Sequence, residues 1–123
     1  MNTKKLADYL IKLLETESED SFLIVSPPNH KDVYIQFLAL SEKELYCEAV
    51  SNRFLPEEFH LNDEKVRILN QWGFALTGDS PNFNRTFIIK NESNIDELVN
   101  LVFRIFAEVY EVPPKNFEIE YQM

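Results

Sequence analysis

The stretch VYIQFLALSEKELYCEAVSNRFL, Val33 to Leu55, decides the fold. Branched and aromatic side chains pack well on a pleated surface, and successive side chains of a strand point to opposite sides. Val33, Ile35, Phe37 and Ala39 therefore share one side, and Tyr34, Gln36, Leu38 and Leu40 the other. Ser41, Glu42, Lys43 and Glu44 separate two apolar runs, which is a hairpin signal. The second strand repeats the alternation, Leu45, Cys47 and Ala49 against Tyr46, Glu48 and Val50. The first side is apolar throughout and suits helices. The second is mixed, with Tyr34, Gln36, Tyr46 and Glu48 beside Leu38, Leu40 and Val50. A core side would carry Gln36 and Glu48 only if they were hydrogen-bonded, and a fully solvated side would carry fewer large apolar groups. Half-wet surfaces of this kind mark interfaces when the apolar patch is large. The plainer alternative is a solvated sheet side with a few exposed apolar residues, which is common.

Length and charge bound the rest. The 123 residues fit a single domain, 1–123, and a chain of this size buries roughly two thirds of its unfolded surface. The 45% hydrophobic content and ten phenylalanines suit a packed globule rather than a disordered chain. A net charge of −9 argues against nucleic acid, because phosphate binding needs clustered lysine and arginine. It disfavours anionic membranes too, and suits basic or amphipathic partners. Cys47 is alone, so no internal disulfide is expected, in keeping with a reducing cytoplasm. The opening MNTKKLADYLIKLLETE has two lysines before an apolar run, but Asp8, Lys12 and Glu15 interrupt it at helical spacing and no small-residue cleavage site follows. It reads as an amphipathic helix rather than a secretion signal. No stretch approaches the roughly 18 apolar residues of a membrane span.

Taken in order, Thr3 to Glu17 is the first helix, with Leu6, Tyr9, Leu10, Leu13 and Leu14 on one face. Phe22 to Ser26 is a short strand, followed by a turn at Pro27, Pro28, Asn29 and His30 and then by the hairpin. After an irregular Ser51 to Leu61, Asn62 caps a second helix whose first turn carries Asp63 and Glu64. Val66, Leu69 and Trp72 point inward, and Gly73 ends the helix. Thr77 to Asn84 is a loop and Arg85 to Lys90 a fourth strand. Ser93, with Asp96 three residues on, is expected to cap the last helix, which runs to about Tyr110. Ile95, Leu98, Val99, Val102, Ile105, Phe106 and Val109 form its stripe, widened by Leu101 and Phe103. A helix this apolar lies between two layers or meets another chain. Pro113 and Pro114 stop it, and Phe117 to Tyr121 is either an edge strand or an ordered tail.

The sequence carries no recognisable catalytic set, and no cofactor is implied. His30 and His60 fall in separate loops without Cys, His or Asp at metal-ligand spacing. Glu57 with Glu58, and Asp63 with Glu64, read as solvated charges, since nothing adjacent would push their pKa values apart. Cys47 alternates onto the apolar side, with no cation or histidine near it in sequence to make a thiolate. Two glycines leave no phosphate-cradling loop. Ser51, Ser80 and Ser93 lack a nucleophile's surroundings. In the elbow after the hairpin, Asn52 reads as a turn former by default, as do Asn82 and Asn84 around Phe83.

Several segments taken together resemble a known pattern: Tyr34-Ile35-Gln36-Phe37, then Glu48-Ala49-Val50-Ser51-Asn52-Arg53-Phe54-Leu55, then Leu61, Leu69 and the Trp72-Gly73 neighbourhood. Pro81-Asn82-Phe83-Asn84-Arg85-Thr86 follows, and Val109-Tyr110 ahead of Pro113-Pro114 closes it. The pattern is similar to the TY-Chap domain, a type III secretion chaperone-like, YbjN-related group, over about Tyr34 to Phe117. The family has glycine before tryptophan after the middle helix, whereas here Trp72 precedes Gly73 and Phe74 follows. The resemblance implies an α+β fold, an antiparallel sheet of four to five strands with helices on one face, in the order α-β-β-β-α-β-α(-β). It further implies a non-catalytic module that binds a peptide or protein client in extended form, as a homodimer, in the cytoplasm. The candidate partner contacts are Tyr34, Gln36, Leu38, Tyr46 and Glu48 on the mixed side, with Asn52 in the elbow, Phe83 in the NFNRT segment and Phe103 on the last helix. The alternative function is a homodimeric structural or regulatory protein of the immunity type.

Overall fold

A computed structural model of the chain describes residues 3–16, 18–113 and 116–123. The elements are α1 (Thr3–Glu15), β1 (Phe22–Ser26), β2 (Ile35–Ser41), β3 (Glu44–Ala49), a single 3-10 turn (Glu57–Phe59), α2 (Asp63–Gln71), β4 (Phe83–Ile88), α3 (Glu92–Arg104) with a π-helical extension (Ile105–Val109), and β5 (Glu118–Gln122). The helix end expected at Glu17, and the second proline of the Pro113-Pro114 stop, lie outside the described residues.

All five strands form one antiparallel sheet in the order β4-β3-β2-β1-β5. The hairpin supplies its centre, with Ile35 opposite Ala49, Phe37 opposite Cys47 and Leu38 opposite Tyr46. A register irregularity between Ala39 and Ser41 precedes the turn. The C-terminal segment is a strand rather than a tail: Glu118 to Gln122 pair with β1, residue for residue. Strand β4 begins two residues earlier than the sequence suggested, because Phe83 and Asn84 pair with Ala49 and Glu48 of β3. On its outer edge Asn84 also exchanges both backbone hydrogen bonds with Ala75, at 2.8 and 3.2 Å.

One side of the sheet is the core. Leu23, Val25, Ile35, Phe37, Leu45, Cys47 and Ala49 are completely buried, as are Leu6, Leu10 and Leu13 of α1. Val99 and Val102 of α3, with Ile105 and Phe106 of its extension, complete the packing. Helix α2 joins the same layer. Arg85 and Phe87, opposite Cys47 and Leu45 in the register, reach it through an Arg85 Nη1 bond to the Trp72 carbonyl at 2.7 Å and a Phe74–Phe87 ring contact. The cation sits on the C-terminal carbonyls of α2, where the helix dipole favours it. Gly73 has φ +85°, and a Cβ there would stand 2.9 Å from Arg85 Cδ. Glycine is thus required both by the backbone and by the arginine above it.

The caps show where sequence reading succeeded and failed. Asn62 caps α2 as expected, accepting from Lys65 N at 2.9 Å. For α3 the cap is Asn91, which accepts from Asn94 N at 3.2 Å, and not Ser93. Asn94 Oδ1 in turn accepts from Lys90 N at 2.8 Å. Two asparagines thus make a reciprocal pair that starts the helix two residues upstream of the expected serine, and Ser93 is left exposed in its first turn. At the other end the extension closes with Tyr110 N donating to Ile105 O at 3.2 Å. This wider turn swings the Tyr110 hydroxyl under the sheet, where it donates to the Val50 carbonyl at 2.6 Å.

Candidate functional site

The side of the sheet away from the helices holds the residues of interest. Strand alternation and register put Tyr34, Gln36, Leu38, Tyr46 and Glu48 there together, all half-buried. Gln36 lies opposite Glu48 and Leu38 opposite Tyr46, so each pair is a cross-strand neighbour on one surface. The rows continue across the sheet. Ile24 and Glu120 extend the Gln36–Glu48 row on one flank and Asn84 on the other, while Thr86 extends the Leu38–Tyr46 row. At the hairpin end Ile88 is 52% exposed. Leu40, 56% exposed, sits at the register irregularity and lines a groove with Ile11, Leu14 and Ile89 of the helix side instead. Leu76 and Phe54 are likewise exposed.

A polar strap crosses the opposite end of this surface. Asn82, only 3% exposed, accepts from Ser51 N at 3.0 Å and donates from Nδ2 to Tyr34 Oη at 3.2 Å and Glu48 Oε2 at 3.3 Å. Ser51 Oγ donates to the Pro81 carbonyl at 2.7 Å. Ser80 hydrogen-bonds the Tyr46 hydroxyl, which also engages Glu48. Burial chiefly, with the neighbouring Glu48 charge, raises the Tyr46 hydroxyl pKa above its ordinary value despite the bond from Ser80. Tyr46 is accordingly a neutral donor at physiological pH. Glu48 keeps accepting capacity beyond the strap, since an ionised carboxylate has about four lone-pair sites.

The other sequence candidates stand elsewhere. Asn52 is exposed in the elbow, and its amide brackets Leu61: Oδ1 accepts from Leu61 N at 2.7 Å and Nδ2 donates to Leu61 O at 2.9 Å. Both ends of the side chain are spent holding the loop. Phe83 lies opposite Ala49 on the core side and is 4% exposed. Phe103, half-buried on α3, stacks on Phe117 with ring centroids 6.3 Å apart. The structure therefore unites five of the eight named residues and places Asn52, Phe83 and Phe103 apart from them.

Sequence reading missed Phe22, Ile24, Thr86, Ile88 and Glu120 as members of this surface. Phe22 and Ile24 lie on β1, Thr86 and Ile88 on β4 and Glu120 on β5, and only the register shows which side of each strand joins the hairpin's mixed one. It also took Asn82 for a turn former, whereas Asn82 is the buried centre of the strap. Cys47 is completely buried and desolvation raises its pKa well above the usual thiol range, so it is a core residue with no thiolate character. Among the described residues no group of three or more His, Cys, Asp and Glu side chains could hold a metal ion, and no helix is long and apolar enough to cross a membrane.

Comparison with known families matches residues 3–117 to TY-Chap3, described as the T3SS (YopN, CesT) and YbjN peptide-binding chaperone 3 family. The chain belongs to that family. Its match begins at α1, well before the Tyr34 at which the sequence resemblance started. No curated protein and no solved structure matches the chain.

Proposed function

We propose that this member of a peptide-binding chaperone family is a non-catalytic cytoplasmic module that holds a segment of a client protein on the open side of its sheet. The carrying observation is the asymmetry of the two sides. Three helices and an entirely buried residue set lie on one, while Tyr34, Gln36, Leu38, Tyr46 and Glu48 lie half-exposed on the other. Tyr34 and Tyr46 supply rigid amphipathic contact area at low entropic cost. Gln36 and Glu48 supply partners for a client's backbone or basic groups. The test is recovery of native partners by the wild type and by Tyr46→Glu. Loss of the partners in the variant, with its folding intact, supports this surface; unchanged recovery removes it.

The exposed Ile88 favours a second reading, in which another copy of the chain covers the same surface and the protein is a homodimer with a regulatory role. Light scattering on the wild type and on Ile88→Lys separates the two. A dimer that becomes a monomer supports the second reading, and a monomer throughout supports client capture.

A further inference from the structure

On the premise that the open side of the sheet holds the client, we infer that the segment bound there is extended and cationic, with two basic residues four positions apart and an apolar residue midway. The spacing comes from β3. Glu44, Tyr46 and Glu48 point to the open side in succession, and their neighbours across the ladders are Ser41, Leu38 and Gln36 on β2 and Ile88, Thr86 and Asn84 on β4. The two carboxylates are four residues apart, about 13 Å along a strand. An extended chain laid along β3 has the same rise, so its residues i, i+2 and i+4 face the sheet over Glu44, Tyr46 and Glu48 in turn. The middle residue meets the Tyr46 ring and Leu38. The chain then leaves past Ile88, a large apolar side chain exposed at that end.

Charge complementarity identifies the occupant. The open-side positions of the five strands carry Glu44, Glu48, Glu118 and Glu120 and, among the described residues, no lysine or arginine. Their existing partners leave room. Glu44 Oε1 accepts only a serine hydroxyl, Ser41 Oγ at 3.2 Å. Glu48 is held by the neutral Asn82 amide and the Tyr46 hydroxyl. Glu118 meets Lys31 at 4.0 Å, between two largely exposed side chains. Among the described residues neither β3 carboxylate has an ion-pair partner, and the chain as a whole carries −9. A neutral or acidic strand on this surface would leave that field uncompensated.

Fluorescence anisotropy with three labelled peptides tests the inference. The first has lysine, threonine, valine, threonine and lysine at its centre; the second and third carry glutamine or glutamate in place of both lysines. Wild-type protein is expected to bind the lysine peptide about tenfold tighter than the glutamine peptide, with the preference shrinking as salt is raised. The Glu44→Gln/Glu48→Gln double variant should bind both alike. Equal affinity of the wild type for all three peptides overturns the inference, as does a lysine preference that survives in the double variant or no binding of the lysine peptide at all. A neutral Tyr46→Ser variant keeps the two levels apart. If the peptides bind without charge preference but all weaken in Tyr46→Ser, the surface still holds clients and only their charge has been misassigned. If lysine-peptide binding ignores Tyr46→Ser, the client surface itself is misplaced.

Discussion

Replacing Tyr110 by phenylalanine isolates one bond that ties the helix layer to the sheet. The hydroxyl donates to the Val50 carbonyl at 2.6 Å, both residues are buried, and the ring itself packs against Phe106. Phenylalanine keeps the ring and its packing, so the loss is confined to the hydrogen bond and to a buried carbonyl left without its hydroxyl partner. That costs about 1–3 kcal/mol, taken as about 2 at pH 8. Burial also raises the Tyr110 pKa well above its ordinary value of 10.0, which gives the cost a pH signature. A raised folded-state pKa stabilises fully below the unfolded pKa and is lost as pH rises above it. At pH 11 the unfolded tyrosine is largely ionised, while burial holds the folded hydroxyl toward its neutral form, so the wild type loses stability through this group as pH rises above 10. The variant has no such group. Cys47, whose pKa burial also raises, is common to both proteins and cancels in the difference. The stability gap, about 2 kcal/mol at pH 8, should therefore narrow as pH is raised to 11. Urea unfolding followed by Trp72 fluorescence at the two pH values measures it. A gap that stays constant or widens would refute the assignment of a neutral, buried, donating hydroxyl.

Gly73→Ala should destabilise by about 2–3 kcal/mol, from a left-handed backbone and displacement of Arg85, whereas Gly78→Ala, in open space, should cost about 1; thermal melts of the pair decide. Asn91→Ala should cost about 1 kcal/mol and Ser93→Ala less than about 0.5, because the asparagine and not the serine caps α3; urea midpoints compare them. Asn82→Ala should lower stability by about 1–3 kcal/mol by leaving the buried Ser51 N–H without its acceptor. Asn82→Asp should not restore it, because its second oxygen would face the Glu48 carboxylate where the amide now donates; urea midpoints compare them.

What the sequence made legible was the part governed by local periodicity. The hairpin's alternation identified its buried side, because a one-residue error would have put Ile35 and Phe37 in water; it misplaced Val50, which lies past the end of β3 and is completely buried. The stripes of α1 and α3 were equally plain. Features set by distant partners were not. Nothing near Glu118 shows that it will pair with Ser26, so the final strand stayed undecided between an edge strand and a tail. Asn91 and Ser93 are both good caps by propensity, and the choice between them rests on Asn94 reaching back to Lys90 N. Phe83 falls within the expected Thr77 to Asn84 loop, and only its pairing with Ala49 of β3 carries it into the ladder and onto the core side. Asn82 has the composition of a turn residue; its role as the strap's centre depends on Ser51, Tyr34 and Glu48, all far away in sequence.

The division of the sheet into a shielded and an open side is tested most directly by methyl NMR during titration with the lysine peptide. Shift changes should concentrate on Ile24, Leu38 and Ile88, leaving Leu6, Leu10, Val99 and Val102 in the helix layer unmoved. Changes centred on the α1 and α3 methyls, with Leu38 and Ile88 silent, would contradict the account.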